Sequence, residues 1–155
     1  MYKVYPDDVL PEQVWGLPLH PLVVHAIVVL LPLTAVGALL MVLRPRFSKR
    51  FGVIVVIGAV LSAVSGLLAT ESGEALARVR PVTGDHVMAG DVVPFPVIGF
   101  AILLTVFWLF DRGVPGNRTR PLWLKVLGVV VIVAAASCTF LVVRAGHTGA
   151  LSVWG

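Results

Sequence analysis

Four runs of apolar residues, separated by short polar segments, set out the plan of this 155-residue chain. They lie at about 20–43, 52–70, 93–110 and 122–143, each near the ~20 residues that an α-helix needs to cross a bilayer. The alternation of faces that marks a strand is absent, so the runs are expected as helices. A helix also satisfies its backbone groups internally, which lipid demands. The expected fold class is all-α: a polytopic membrane four-helix bundle, one domain over residues 1–155, with an outer loop at about 71–92.

Composition strengthens this picture. The chain is 58% hydrophobic and 13% charged, with a mean hydropathy of +0.98. Soluble domains average roughly 45–50% apolar and about 25% charged residues. A domain of this size cannot hide the excess in a core, so lipid is the expected solvent, in a multi-pass cell-membrane setting. The pI near 9.8 would suit a nucleic-acid partner. The basic residues cluster beside the apolar runs instead, and the positive-inside effect accounts for them; no nucleic acid is expected as a partner. Eight of the twelve Lys and Arg residues flank the two short loops: Arg44, Arg46, Lys49, Arg50, Arg112, Arg118, Arg120 and Lys125. Asp111 is the one acid there, while the other side carries seven acids. This asymmetry predicts short cytoplasmic loops and an N-out, C-out topology. The tryptophans agree with an interfacial belt, with Trp15 and Trp154 at the outer boundary and Trp108 and Trp123 at the inner one. Asn117-Arg118-Thr119 fits a glycosylation sequon but falls on the cytoplasmic side and is set aside.

Other features refine the packing. Gly58, Ser62 and Gly66 recur every fourth residue on the second run, where a neighbouring backbone can approach closely. Ala134 and Cys138 repeat that spacing on the fourth. Cys138 is the single cysteine, which excludes an intrachain disulfide. Pro32 should kink the first helix or free a carbonyl near Val28. The segment TESGEALARVRP is expected to carry the second helix past the membrane, and Gly146 and Gly149 to turn the chain back over the bundle mouth. The first fifteen residues hold no apolar core of signal-peptide type, so no cleaved leader is expected.

The candidate chemistry gathers on the outer side. His20 and His25 open the first span, His86 lies in the outer loop, and His147 follows the last span. Glu71 and Glu74 end the second span, and Asp85 and Asp91 flank His86. Pro21 suits a first helical turn, which places His20 at the cap. His25 lies four residues beyond Pro21, about 6 Å deeper, where a polar ring should face the bundle. Five residues separate the two histidines, about 140° around a helix, so they cannot form an i, i+4 metal clip. The expectation is that His25 and at least two of His20, His86, His147 and Glu71 converge on one pocket. The sequence contains no phosphate loop, dinucleotide fingerprint, CxxC or nucleophile elbow.

The element Leu19-His20-Pro21-Leu22-Val23-Val24-His25 resembles the opening of a bacterial membrane family known as domain of unknown function 2231. Gly66, Glu71-Ser72-Gly73-Glu74, His86 and Gly146-His147-Thr148-Gly149 are similar to its other landmarks, so that the resemblance spans about residues 16 to 150. It implies a bacterial plasma membrane and, by association with fused redox domains, a redox setting.

Two functions follow. The first is a b-type haem or a transition metal in membrane electron transfer. Its candidate axial pair is His25 with His147, or His25 with His86; a non-haem site would draw on His20, His25, His86, His147 and Glu71. The second is a non-enzymatic membrane subunit or assembly factor without a cofactor, working with a redox partner or larger complex. In neither case is the chain expected to be an enzyme on its own. A transporter ranks below both, because no span carries a midplane charge.

Overall fold

A computed structural model describes residues 13–14, 16–79 and 90–154. Four helices dominate it: α1 over Leu19–Leu43, α2 over Pro45–Val79, α3 over Pro94–Gly113 and α4 over Leu122–Trp154. All four are long and apolar enough to cross a membrane. Ahead of them, Gln13–Val14 (β1) and Leu17–Pro18 (β2) form a two-residue antiparallel ladder. Its turn passes through Gly16 at φ 77°, a left-handed conformation that favours glycine. This ladder lies outside the apolar runs and does not alter the all-α class.

Prolines mark the helix starts. Pro45 opens α2, Pro94 and Pro96 sit in the first turn of α3, and Pro121 immediately precedes α4. Each occupies a place where a missing N–H costs little. Only Arg44 separates α1 from α2, so the two must run antiparallel. Each helix packs on its sequence neighbour, and α4 closes the ring against α1.

The packed residues follow steps of three and four. On α1 they are Ile27, Leu31, Thr34, Ala38 and Met41; on α3 they are Val97, Phe100, Leu104, Phe107 and Asp111; α4 contributes Leu124, Gly128, Val131, Ala135, Cys138 and Val142. This is the seam of near-parallel helix packing. Opposite faces are apolar but open, with Leu33 67% and Phe140 66% exposed, as lipid-facing surfaces are. The small stripe of α2 works as expected. A Cβ at Gly58 would come within 2.7 Å of Thr34 Oγ1, and one at Gly66 within 3.3 Å of Ile27 Cδ1.

Two expectations about helix ends divide. The second helix does run on past residue 70, to Val79. At 35 residues it is about 52 Å long, well beyond a hydrocarbon core of about 30 Å. The fourth helix does not turn back at its glycines: it continues through Gly146 and Gly149 to Trp154. Glycine permits a turn without imposing one, and no proline follows Pro121 to end the helix. Helix α1 likewise continues through Pro32.

Candidate functional site

His20 lies in the first turn of α1. Ile27, Leu31, Thr34, Ala38 and Met41 define the packed seam of that helix, and stepping back by three and four leads through Val24 to His20. The imidazole is therefore carried toward α2. Its Nδ1 lies 2.9 Å from the Ala69 carbonyl oxygen. A carbonyl only accepts, so Nδ1 is the donor in this contact. Ser72 Oγ lies 3.4 Å from the same Nδ1 and donates to the Leu68 carbonyl at 2.6 Å. The ring rests on Gly73, where an added Cβ would meet His20 Cε1 at 3.0 Å. Within Glu71-Ser72-Gly73-Glu74, the two small residues thus face the histidine, while both glutamates are exposed.

Below the ring is a small crevice of about 70 Å³, open to the surroundings. Its walls are aliphatic or small: Val24 and Ile27 from α1, Gly66 and Ala69 from α2, and Ala145 and Gly146 from α4. Thr70 adds one hydroxyl, shared between the carbonyls of Gly66 at 3.3 Å and Gly90 at 3.2 Å. That contact ties α2 to the helical turn leading into α3. The arrangement offers one imidazole, one neighbouring hydroxyl and a small apolar surface.

The expected convergence of histidines is not what the described residues show. His25 is exposed, on the same side of α1 as Leu22, Val29, Leu33 and Val36. Its Nδ1 bonds the Pro21 carbonyl of its own helix at 2.6 Å. Since His20 and His25 lie about 140° apart, only one could face inward, and the seam selects His20. His25 is only six residues from the start of α1, about 9 Å along the axis. At that depth an amphipathic ring reaches the interface without bundle partners. His147 and Glu71 are exposed as well. Among the described residues, no three His, Cys, Asp or Glu side chains are placed to hold one metal ion. His86, Asp85, Arg80 and Trp15 lie outside the described residues.

At the opposite end, the sequence reading missed a buried ion pair. Arg120 donates from Nε to Asp111 Oδ1 at 2.6 Å and from Nη2 to Asp111 Oδ2 at 2.8 Å. It also donates to the carbonyls of Met41, at 2.8 Å, and Val42. Proline at position 45 explains the first of these: the Met41 carbonyl would otherwise receive the N–H of residue 45. The signal was present in the sequence as a lone acid among eight cations, beside a proline-broken helix end.

Comparison with known families places residues 16–155 in the family of predicted membrane proteins designated DUF2231, and the chain belongs to that family. No curated protein matches it, and no solved structure matches it.

Proposed function

We propose that this member of that membrane family binds a redox cofactor at the His20 end and serves membrane electron transfer. The observation that carries the proposal is the setting of His20. Its Nδ1–H is held by the Ala69 carbonyl, beside Ser72, at the head of an apolar crevice. A ligating histidine is commonly oriented in this way, through a hydrogen bond from its other nitrogen to a carbonyl. Of the two candidate groups, b-type haem is better supported than a bare transition metal. Haem asks for one or two imidazoles among apolar walls, whereas a bare ion asks for three or four donors. His86 is the candidate second ligand, separated from crevice-lining Gly90 by three residues. The charge asymmetry of the loops supports placing the His20 end outside and the short loops in the cytoplasm.

The test is an oxidised and a dithionite-reduced absorption spectrum of detergent-purified protein, with metal analysis on the same sample. A Soret band and a sharp reduced α-band are expected, lost in His20→Ala and retained in His25→Ala and His147→Ala. Absence of both haem and stoichiometric metal in protein from its own host, or full retention in His20→Ala, refutes the proposal.

A cofactor-free subunit or assembly factor is the second reading. It is favoured by the exposed ends of α2 and α4, which extend past the apolar runs and carry Glu71, Glu74, Arg144 and His147 outward. Such a platform suits a partner protein of a redox complex. In neither role does the chain act as an enzyme alone.

A further inference from the structure

The end of the bundle bearing the two short loops has an unusual charge surface. Arg44, Arg46, Lys49, Arg50, Arg112, Arg118 and Lys125 are all exposed there. The one acid, Asp111, is 1% exposed and neutralised by Arg120. No described carboxylate at this end answers the seven cations.

Two of these cations are held in place at the seam between α2 and α3. Lys49 Nζ donates to the Val114 carbonyl at 2.6 Å. That bond uses one of its three donors and anchors the ammonium beside the α3–α4 loop. Trp108 packs on α2 so closely that a Cβ at Gly52 would lie 2.3 Å from its ring. Arg112 stacks over the same ring, 4.9 Å from the centroid. A stacked guanidinium keeps its in-plane N–H donors, which match the geometry of a phosphate. Lys49 lies three residues before Gly52, and Val114 two residues after Arg112, so both cations flank one seam.

We propose that this seam is a binding site for the headgroup of an anionic phospholipid, with Arg112 and Lys49 on the phosphate and Trp108 at the interfacial depth. Several features support a lipid over a soluble anion. The site sits where the apolar spans end, a tryptophan forms its floor, and exposed apolar side chains one turn inward on the same helix faces, Val53 from Lys49 and Leu109 from Arg112, can meet acyl chains. It is independent of His20 and of any cofactor.

The test uses the full chain in dodecylmaltoside, with thermal unfolding and native mass spectrometry as readouts. Phosphatidylglycerol is expected to raise the melting temperature and remain bound, whereas phosphatidylcholine and inorganic phosphate do neither. Arg112→Gln should weaken phosphatidylglycerol retention about tenfold, the scale of one charge-assisted hydrogen-bonded contact. Arg118→Gln, which removes an exposed cation elsewhere on this end, should leave retention within twofold of wild type, about 0.4 kcal/mol. Melting without lipid checks that each variant is folded, and Arg112→Lys serves as the conservative substitution should Arg112→Gln fail to fold. Equal response to phosphatidylcholine overturns the proposal, as does saturation by inorganic phosphate. Equal losses in the Arg112 and Arg118 variants would overturn it too, since they would show only a diffuse charge effect.

Discussion

The Asp111–Arg120 pair allows a demanding test of how the loop end holds together. Asp111 is 1% exposed and the Arg120 side chain 9%, and their contact is bidentate. Removing one partner of a buried pair typically costs about 3–5 kcal/mol, chiefly because the other charge is left uncompensated. The structure orders the two truncations. In Asp111→Ala, Arg120 keeps the Met41 and Val42 carbonyls and a cation–π contact 5.2 Å from the Phe107 centroid, so a loss near the lower end, about 3 kcal/mol, is expected. In Arg120→Ala, the carboxylate loses its counter-ion and the end of α1 loses donors to two carbonyls, so about 5 kcal/mol is expected. The double variant removes both charges together and should cost clearly less than the sum of the single losses. The assay is equilibrium unfolding in dodecylmaltoside with increasing dodecyl sulfate, followed by circular dichroism. Single losses below about 1 kcal/mol, or strict additivity in the double variant, would show that the pair behaves like a solvated surface bridge and refute the reasoning.

Three other outcomes are expected. Gly52→Ala places a Cβ 2.3 Å from Trp108 Cδ1 and should cost about 1–3 kcal/mol by the same unfolding assay, whereas Gly99→Ala meets open space and should be neutral or slightly stabilising. Ser48 is 1% exposed, and its Oγ has no hydrogen-bond partner among the described residues; Ser48→Ala should therefore hold or raise the unfolding midpoint, since it removes an uncompensated polar atom. Cys138 is 2% exposed in the α4 seam, so maleimide should label it at least about tenfold more slowly in the folded protein than in dodecyl sulfate; comparable rates would show that the seam opens freely.

The spans were legible because hydropathy contrast along the chain is strong: all four helices occur where the apolar runs predict them. The contrast around each helix was not legible. Lipid-facing Leu33 and packed Leu31 are the same residue type, since lipid and bundle interior are equally apolar and packing is decided by shape. Gly58, Ser62 and Gly66 could be read because small size is itself the packing signal. Gly52 and Gly128 escaped notice, although their seams accommodate Trp108, and Val42 with Phe107, respectively. The inward rule for polar residues misdirected His25, because it holds in mid-membrane and weakens within two turns of the interface. Asp111 escaped for a related reason: charge counting assigned it to a loop surface, whereas the proline after α1 leaves a carbonyl that draws Arg120, and Asp111 with it, into the interior.

The two ends of the bundle owe their difference to what faces each small residue. Near the short loops, small meets large: Gly52 receives Trp108, Gly37 receives Val55, and Gly128 receives Val42 and Phe107. Those pairings fill the seams, and Arg120 seals what remains. Toward His20 the filling is incomplete. Gly73 receives the His20 ring and Gly66 receives Ile27, but Ala69 on α2 and Ala145 and Gly146 on α4 line open space, and a Cβ at Gly146 would find its nearest atom only at 3.9 Å. The crevice is the space that such a register leaves. Among the described residues its rim carries one histidine, because the seam of α1 ends on His20 while His25 is turned about 140° away. A ligand arriving there meets one oriented imidazole and aliphatic walls. On the function proposed above, that environment would suit a flat, largely apolar group needing a single protein donor from this side better than a bare cation, whose hydration would be exchanged for too few ligands.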